Sequence, residues 1–249
     1  MSRPTIPTET IDPDLVLRAY AMGVFPMADA RDAPGIYWVE PKQRAVLPLD
    51  AFHLSRSLAR TIARDRFRVT ADTAFDRIIA LCAESADDRP DTWINASIET
   101  VFRQLHARGF AHSVEVWDGD ALVGGLYGLA LGRAFFGESM VSRARDASKV
   151  ALAWLVARLR LGGFALLDCQ FQTDHLATMG TVELPRSAYS VVLGEALGDG
   201  VAGLVGGAPV VSGDWSALDR LGDDAGDASL TVSAGPSGKR IVQLLGQTS

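Results

Sequence analysis

The sequence predicts an α+β protein: a small N-terminal α/β domain ahead of a larger domain whose mostly antiparallel sheet is flanked by helices. Three observations carry this. Between His112 and Met140, three apolar runs are separated by Asp118-Gly119-Asp120 and Gly132-Arg133, turn residues that join antiparallel strands. Ala147 to Leu161 is an apolar stretch too long for a strand, begun at Asp146 or Ser148 and stopped by Gly162-Gly163. Ala165 to Phe171 follows at once as a buried strand, so helix and sheet share one core.

The elements come in order. Asp12 caps a helix over 12–22, with Pro13 in its first turn and Leu15, Val16, Ala19 and Tyr20 on its apolar side. Gly23 to Met27 turns the chain and leaves an exposed-looking aromatic. Ile36–Trp38 and Arg44–Leu47 read as short strands, and His53 to Leu58 leads a basic helix ending near Arg64. Phe67–Thr70 is a strand, Thr73–Ala83 a helix, and Glu84–Asp91 an acidic loop. Ser97–Arg108 has helical spacing and stops at Gly109. After the meander, helix and strand come a short helix at Thr173–Met179 and a last one at Tyr189–Ala196. The expected division is a small N-terminal unit over 1–60 with a basic edge, a larger domain over 61–197, and a tail over 198–249. The tail is rich in Gly, Ala and Asp, loosely packed, with apolar pieces at Val201–Val211 and Ile241–Leu245.

Composition excludes several classes. No uncharged apolar run reaches the ~18 residues needed to span a membrane, and Met1 to Pro13 is polar with three prolines, so a cytoplasmic protein is expected. Cys82 and Cys169 lack CxxC or His spacing and read as reduced, buried thiols, with no metal site. The net charge of −6 hides an uneven spread. Lys42 to Arg68 holds seven basic residues against two acids, whereas Gly198 to Leu230 holds six aspartates against one arginine. The basic stretch suits either a phosphate backbone or a solvated helix face.

Chemistry gathers between Gly124 and Gln170. Asp168 and Gln170, two apart on a strand, share a face and could hold an amine between them; Asp168 could equally pair with a neighbouring Arg or Lys to fix the fold. Glu138 follows a glycine that lets a ligand near the backbone, though Arg143 or Arg145 could be its salt-bridge partner. His112 and His175 are isolated and read as structural.

The motifs Gly23-Val24-Phe25-Pro26, Trp38-x-x-Pro41-x-x-Arg44, His53-Leu54-Ser55-Arg56-Ser57 and Thr92-Trp93-Ile94 come in series. Ala111 to Trp117, Val123 to Gly128, Gly137 to Met140, Ala147-Ser148-Lys149 and Asp168-Cys169-Gln170 complete it. In order and spacing, the chain from about Leu15 to Leu197 resembles the bacterial leucyl/phenylalanyl-tRNA–protein transferases. The element order also resembles a GNAT-like acyltransferase domain. An acetyl-CoA enzyme of that type would need a glycine loop before a helix. Here Arg160-Leu161-Gly162-Gly163-Phe164-Ala165 fits the pattern but follows one, so coenzyme A is not the expected donor.

The resemblance implies transfer of Leu or Phe, and less well Met, from aminoacyl-tRNA to proteins with N-terminal Lys or Arg, as part of N-degron proteolysis. It implies a monomer with no cofactor and no membrane partner. Residue by residue, it implies that Asp168 holds the acceptor amine, Gln170 orients it or relays its proton, and Glu138 is the acceptor-side acid. Leu126, Phe135, Met140, Leu155, Leu159 and Leu167 would form the donor side-chain pocket, Trp93 and Met27 would meet the terminal adenosine, and Arg56, Arg60 and Arg64 would meet the tRNA backbone. Met27, Leu155 and Val141 depart from the aromatic residues usual at their positions. The competing expectations are a GNAT-type acetyltransferase and a non-catalytic binder of charged tRNA or N-degrons.

Overall fold

A computed structural model describes residues 6–7, 10–84, 92–198, 212–223 and 236–246. The first strands, β1 (Ile6–Pro7), β2 (Phe25–Met27) and β3 (Gly35–Val39), form a small antiparallel sheet in the order β1-β3-β2. β4 (Gln43–Leu47), β5 (Arg68–Ala71), β6 (Ala111–Asp118), β7 (Ala121–Leu131), β8 (Ala134–Ser142), β9 (Leu166–Gln170) and β10 (Val182–Pro185) build the main sheet. Its order is β10-β4-β9-β8-β7-β6-β5. Every pairing is antiparallel except β8–β9, which are joined across the sheet by helix α5 (Ala147–Leu161). Parallel neighbours need such a crossover.

Each face of this sheet has its own core. On one side pack α1 (Pro13–Ala21), α3 (Phe75–Ala83), α4 (Ala96–Ala107) and α7 (Arg186–Leu197), through Val16, Ile78, Phe102 and Tyr189 among others. On the other side α5 buries twelve of its residues, with α2 (Arg56–Ala63) and the short α6 (Asp174–Ala177) nearby. The meander and α5 fall where the sequence puts them, because alternation and an uninterrupted apolar stretch leave each only one way to be buried.

Three local expectations are overturned. Strand β4 lies between β9 and β10, so residues before position 60 share the main sheet with those after it. Phe25 is not exposed but fully buried, in β2, beneath the Arg44 guanidinium. The tail is also not uniformly loose, although Val201–Val211 and the 85–91 part of the acidic loop lie outside the described residues. After a 3-10 turn at Trp215–Leu218 and helix α8 (Arg220–Asp223), helix α9 (Gly238–Gly246) buries Ile241 and Leu245 against α2 and α5. Arg158, itself buried, makes a two-pronged ion pair with Asp219, at 2.6 Å on each prong, and stacks on Trp215.

Gly238 keys α9 into place. Its N–H donates to Asp65 Oδ1 at 2.6 Å, and a Cβ there would stand 1.9 Å from the Ile62 carbonyl oxygen. Gly238→Val should therefore cost about 1–3 kcal/mol. The expected signs are a lower Tm and faster amide exchange in α2; unchanged exchange would mean that α9 does not rest on α2.

Candidate active site

β8 and β9 pair from Ala134 and Leu166 to Phe136 and Asp168, and there the ladder ends. β8 runs on beside β7 to Ser142, while Gln170 pairs with Ala45 of β4. The strands part where Glu138 and Gln170 stand. Tyr127 faces Ser139 but Gly128 faces Gly137, so Glu138 is the extra residue of a bulge, the usual device for re-aiming a side chain.

Gln170 closes β9 with φ of 61°, a left-handed conformation rare outside glycine. Its N–H donates to Asp168 Oδ1 at 2.8 Å, and its Nε2 donates to Glu138 Oε1 at 2.9 Å. The strained residue thus presents its amide to the acid across the gap between strands.

Asp168 is sealed from solvent, with 0% exposure. Arg44 donates from Nε to both carboxylate oxygens at 2.9 Å and from Nη2 to Oδ2 at 2.6 Å. Tyr189 Oη adds a bond to Oδ2 at 2.7 Å. Arg44, 1% exposed, also donates to the Gly23 carbonyl and lies between the rings of Phe25 and Tyr189, 4.6 and 4.8 Å from their centroids. Burial works against the Arg44 charge, but Asp168 more than restores it, and the guanidinium pKa ends above its usual value. Every prong of the pair is hydrogen-bonded, which is what a buried ion pair needs to offset the cost of leaving water. Asp168 as it stands has no free oxygen for an incoming amine.

Glu138 is in the opposite state. Burial raises its pKa to about 8, against the pull of Tyr20, Gln170 and Arg44. Its Oε2 is buried without a partner in hydrogen-bond geometry, and so is Tyr20 Oη beside it. Arg143 and Arg145 pair elsewhere, with Glu84 and Asp146. The site therefore holds one carboxylate committed to structure and another poised to exchange a proton near neutral pH.

Residues 46–194 match the family model described as leucyl/phenylalanyl-tRNA protein transferase, and residues 9–42 match the model of that family's N-terminal domain. The chain belongs to the leucyl/phenylalanyl-tRNA–protein transferase family. A protein of that name from Rhizorhabdus wittichii is 59% identical over 248 residues, covering 97% of this chain and 100% of that one. One from Zymomonas mobilis is 50% identical over 274 residues, covering 97% and 100%. Among solved structures, FemX superposes with a TM-score of 0.47 and 11% identity, covering 70% of this chain and 69% of that one.

The other residues singled out by the likeness to this transferase family fall in three places. Leu126, Phe135, Leu155, Leu159 and Leu167 are packed at 3% exposure or less in the core beneath α5, and Met140, paired with Leu126 across β7–β8, is half-buried at its edge. Trp93 and Met27 are half-buried near one another, tied by the Ala28 N–H donating to the Trp93 carbonyl at 3.0 Å. Arg56, Arg60 and Arg64 are exposed along α2. The decoy Arg160 donates to the carbonyls of Leu49, Leu244 and Leu245, so its work is to tie α9 and the β4 end to α5. A cavity of about 880 Å³ beside it, lined by Leu47, Leu49, Phe164 and Val182 among others, touches none of the proposed catalytic or donor-pocket residues.

Sequence reasoning missed Arg44, Tyr20 and Tyr189. The signal for Arg44 was present: an arginine beside Ala45-Val46-Leu47, in a buried strand, demands a buried acid. Tyr20 was read only as core, and nothing local marks Tyr189 as a donor to Asp168.

Proposed function

We propose that the chain is an aminoacyltransferase moving Leu or Phe, and less well Met, from aminoacyl-tRNA to the α-amino group of proteins that begin with Lys or Arg, marking them for N-degron proteolysis. The observation that carries this reading is the Glu138–Gln170 pair set at the point where β8 and β9 part. One parallel pair in an otherwise antiparallel sheet, opened at that point, also supports a GNAT-like acyltransferase domain. We read the enzyme as a cytoplasmic monomer; no helix of the described residues is long and apolar enough to cross a membrane.

The chemistry follows. The acceptor nitrogen attacks the ester carbonyl, a C–N bond forms, the bond to the ribose oxygen breaks, and the proton given up by the amine ends on that oxygen as the free hydroxyl of the released tRNA. The ester is already activated, so the enzyme has to align the partners and handle that proton. Glu138 Oε2 takes it: an α-amino group titrates near ~8, which matches the acid's pKa of about 8. Gln170 holds Glu138 Oε1 and orients it. Asp168 is a positioning residue, fixing the left-handed turn of Gln170 through its N–H. Trp93 and Met27 receive the terminal adenosine. The donor side chain enters beside Met140, with Leu126, Phe135, Leu155, Leu159 and Leu167 as the apolar wall.

The test is incubation with labelled Leu-tRNA or Phe-tRNA and a peptide beginning with Arg, with no added cofactor. Label should reach the peptide N-terminus. Acetylation from acetyl-CoA with no transfer from tRNA would replace this reading with the acetyltransferase one, and tight binding without transfer would leave a binder. Met140→Ala should enlarge the pocket and raise the kcat/KM ratio of Phe over Leu by roughly tenfold. An unchanged ratio would place the donor side chain elsewhere.

A further inference from the structure

Helix α9 lies beyond residue 194, where the match to the transferase family model ends. It nevertheless rests on the basic helix α2. Gly238, the first residue of α9, sits against Ile62 and Asp65, on either side of Arg64, the C-cap of α2. Lys239 and Arg240 follow directly, within a turn of that junction, and both are exposed.

Their placement works against the helix. A helix N-terminus carries partial positive charge, and a cation in its first turn is unfavourable by a few tenths of a kcal/mol or more. α9 has no acid in its first turn to offset them. Asp65 is the acid at the junction, and one of its oxygens is used to cap Gly238. The acids of the 212–220 segment are committed elsewhere, Asp214 to Arg220 and Asp219 to Arg158. Among the described residues none of Arg56, Arg60, Arg64, Lys239 and Arg240 enters an ion pair, and Arg240 has only Gln243 as a side-chain partner at 3.1 Å. Five exposed cations on two helices locked side by side, with the two on α9 placed against its dipole, mark a surface shaped for a polyanion.

We propose that α9 extends the α2 surface, so that Lys239 and Arg240 join Arg56, Arg60 and Arg64 in binding the phosphate backbone of the donor tRNA. This rests on the transferase reading. The contact positions the tRNA and reads no sequence, so it leaves the choice of amino acid alone.

The experiment measures binding of deacylated leucine tRNA to the full chain by fluorescence anisotropy from 50 to 300 mM KCl. It compares wild type, Lys239→Glu with Arg240→Glu, and Arg56→Glu with Arg60→Glu, and Tm is checked for each. Each lost phosphate contact should flatten the log–log salt slope by roughly 0.7–0.9. The α9 double variant should thus lose roughly 1.4–1.8 from the slope and about tenfold or more in affinity at 50 mM. Its Tm should hold or rise slightly, because Glu suits the first turn of α9, and its Leu-over-Phe preference in transfer should hold. If the α2 variant flattens the slope and the α9 variant does not, the surface stops at α2 and the proposal is wrong. If neither does while transfer proceeds, the tRNA lies elsewhere and the proposal fails with the α2 assignment. If wild type neither binds tRNA nor transfers from it, the transferase reading itself fails.

Discussion

Arg44→Met should cost about 3–5 kcal/mol of folding stability, because it leaves Asp168 buried as an unpaired charge. The acid has no route to solvent, and its remaining donors are the Tyr189 hydroxyl and the Gln170 N–H. Removing both charges is a different experiment. A buried ion pair replaced by apolar residues of similar volume is often neutral, so Arg44→Met combined with Asp168→Leu should recover most of the lost stability in urea titrations. Turnover should not recover. Without Asp168, nothing holds the N–H of Gln170 in its left-handed turn, and misplacement of an aligning group costs ~100-fold or more. A double variant with both normal stability and normal turnover would strip Asp168 of any positioning role.

Glu138→Gln should lower kcat by ~100-fold or more while leaving tRNA binding intact. In the wild type, kcat should rise with pH through about 8, as Glu138 loses the proton it must lose to act as a base. The variant should lack that rise. The same substitution should stabilise the fold, with a defined sign. The folded-state pKa lies above the ~4.3 of an exposed glutamate, so the folded chain binds the proton more tightly. The contribution of Glu138 to stability is intact below pH ~4.3, drains away as pH climbs to about 8, and stays flat beyond. Glu138→Gln should therefore raise stability on the order of 3 kcal/mol at pH 8–9 and little at pH 5. A variant no more stable at pH 9 than at pH 5, relative to wild type, would mean that the carboxylate is solvated in the folded chain. Under the proposed mechanism, function and stability pull in opposite directions at this residue.

Much of the fold was legible because burial leaves few choices. Ala147 to Leu161 can hide that much apolar surface only as a buried helix, and the meander alternates between clear turns. What stayed hidden is long-range. No local pattern tells β4 to insert between β9 and β10, since its partners lie more than a hundred residues away. Strand β10, Val182–Pro185, was missed because it is four residues long and mostly exposed, so it carries no alternation to read. The apolar piece Ile241–Leu245 was visible, but neither the helix it forms nor the surface that helix covers. At the site, Asp168, Gln170 and Glu138 were found as polar residues among apolar ones, whereas their division of labour follows from contacts with Arg44, Tyr189 and Tyr20. Those partners arrive from β4, α7 and α1, and only tertiary structure brings them in.

The insertion of β4 has a consequence for synthesis. A ribosome adds about 5–20 residues per second, so roughly 6–25 s pass between the emergence of Leu47 and that of Gln170. Throughout that interval the strand Gln43–Leu47 has neither hydrogen-bonding neighbour, and Arg44 has no counter-charge. The nascent chain thus carries a sticky, apolar segment with an unsatisfied cation until its second half is made. Chains stalled near residue 150 should be cut by protease around Leu47, and chains extended past Pro185 should resist.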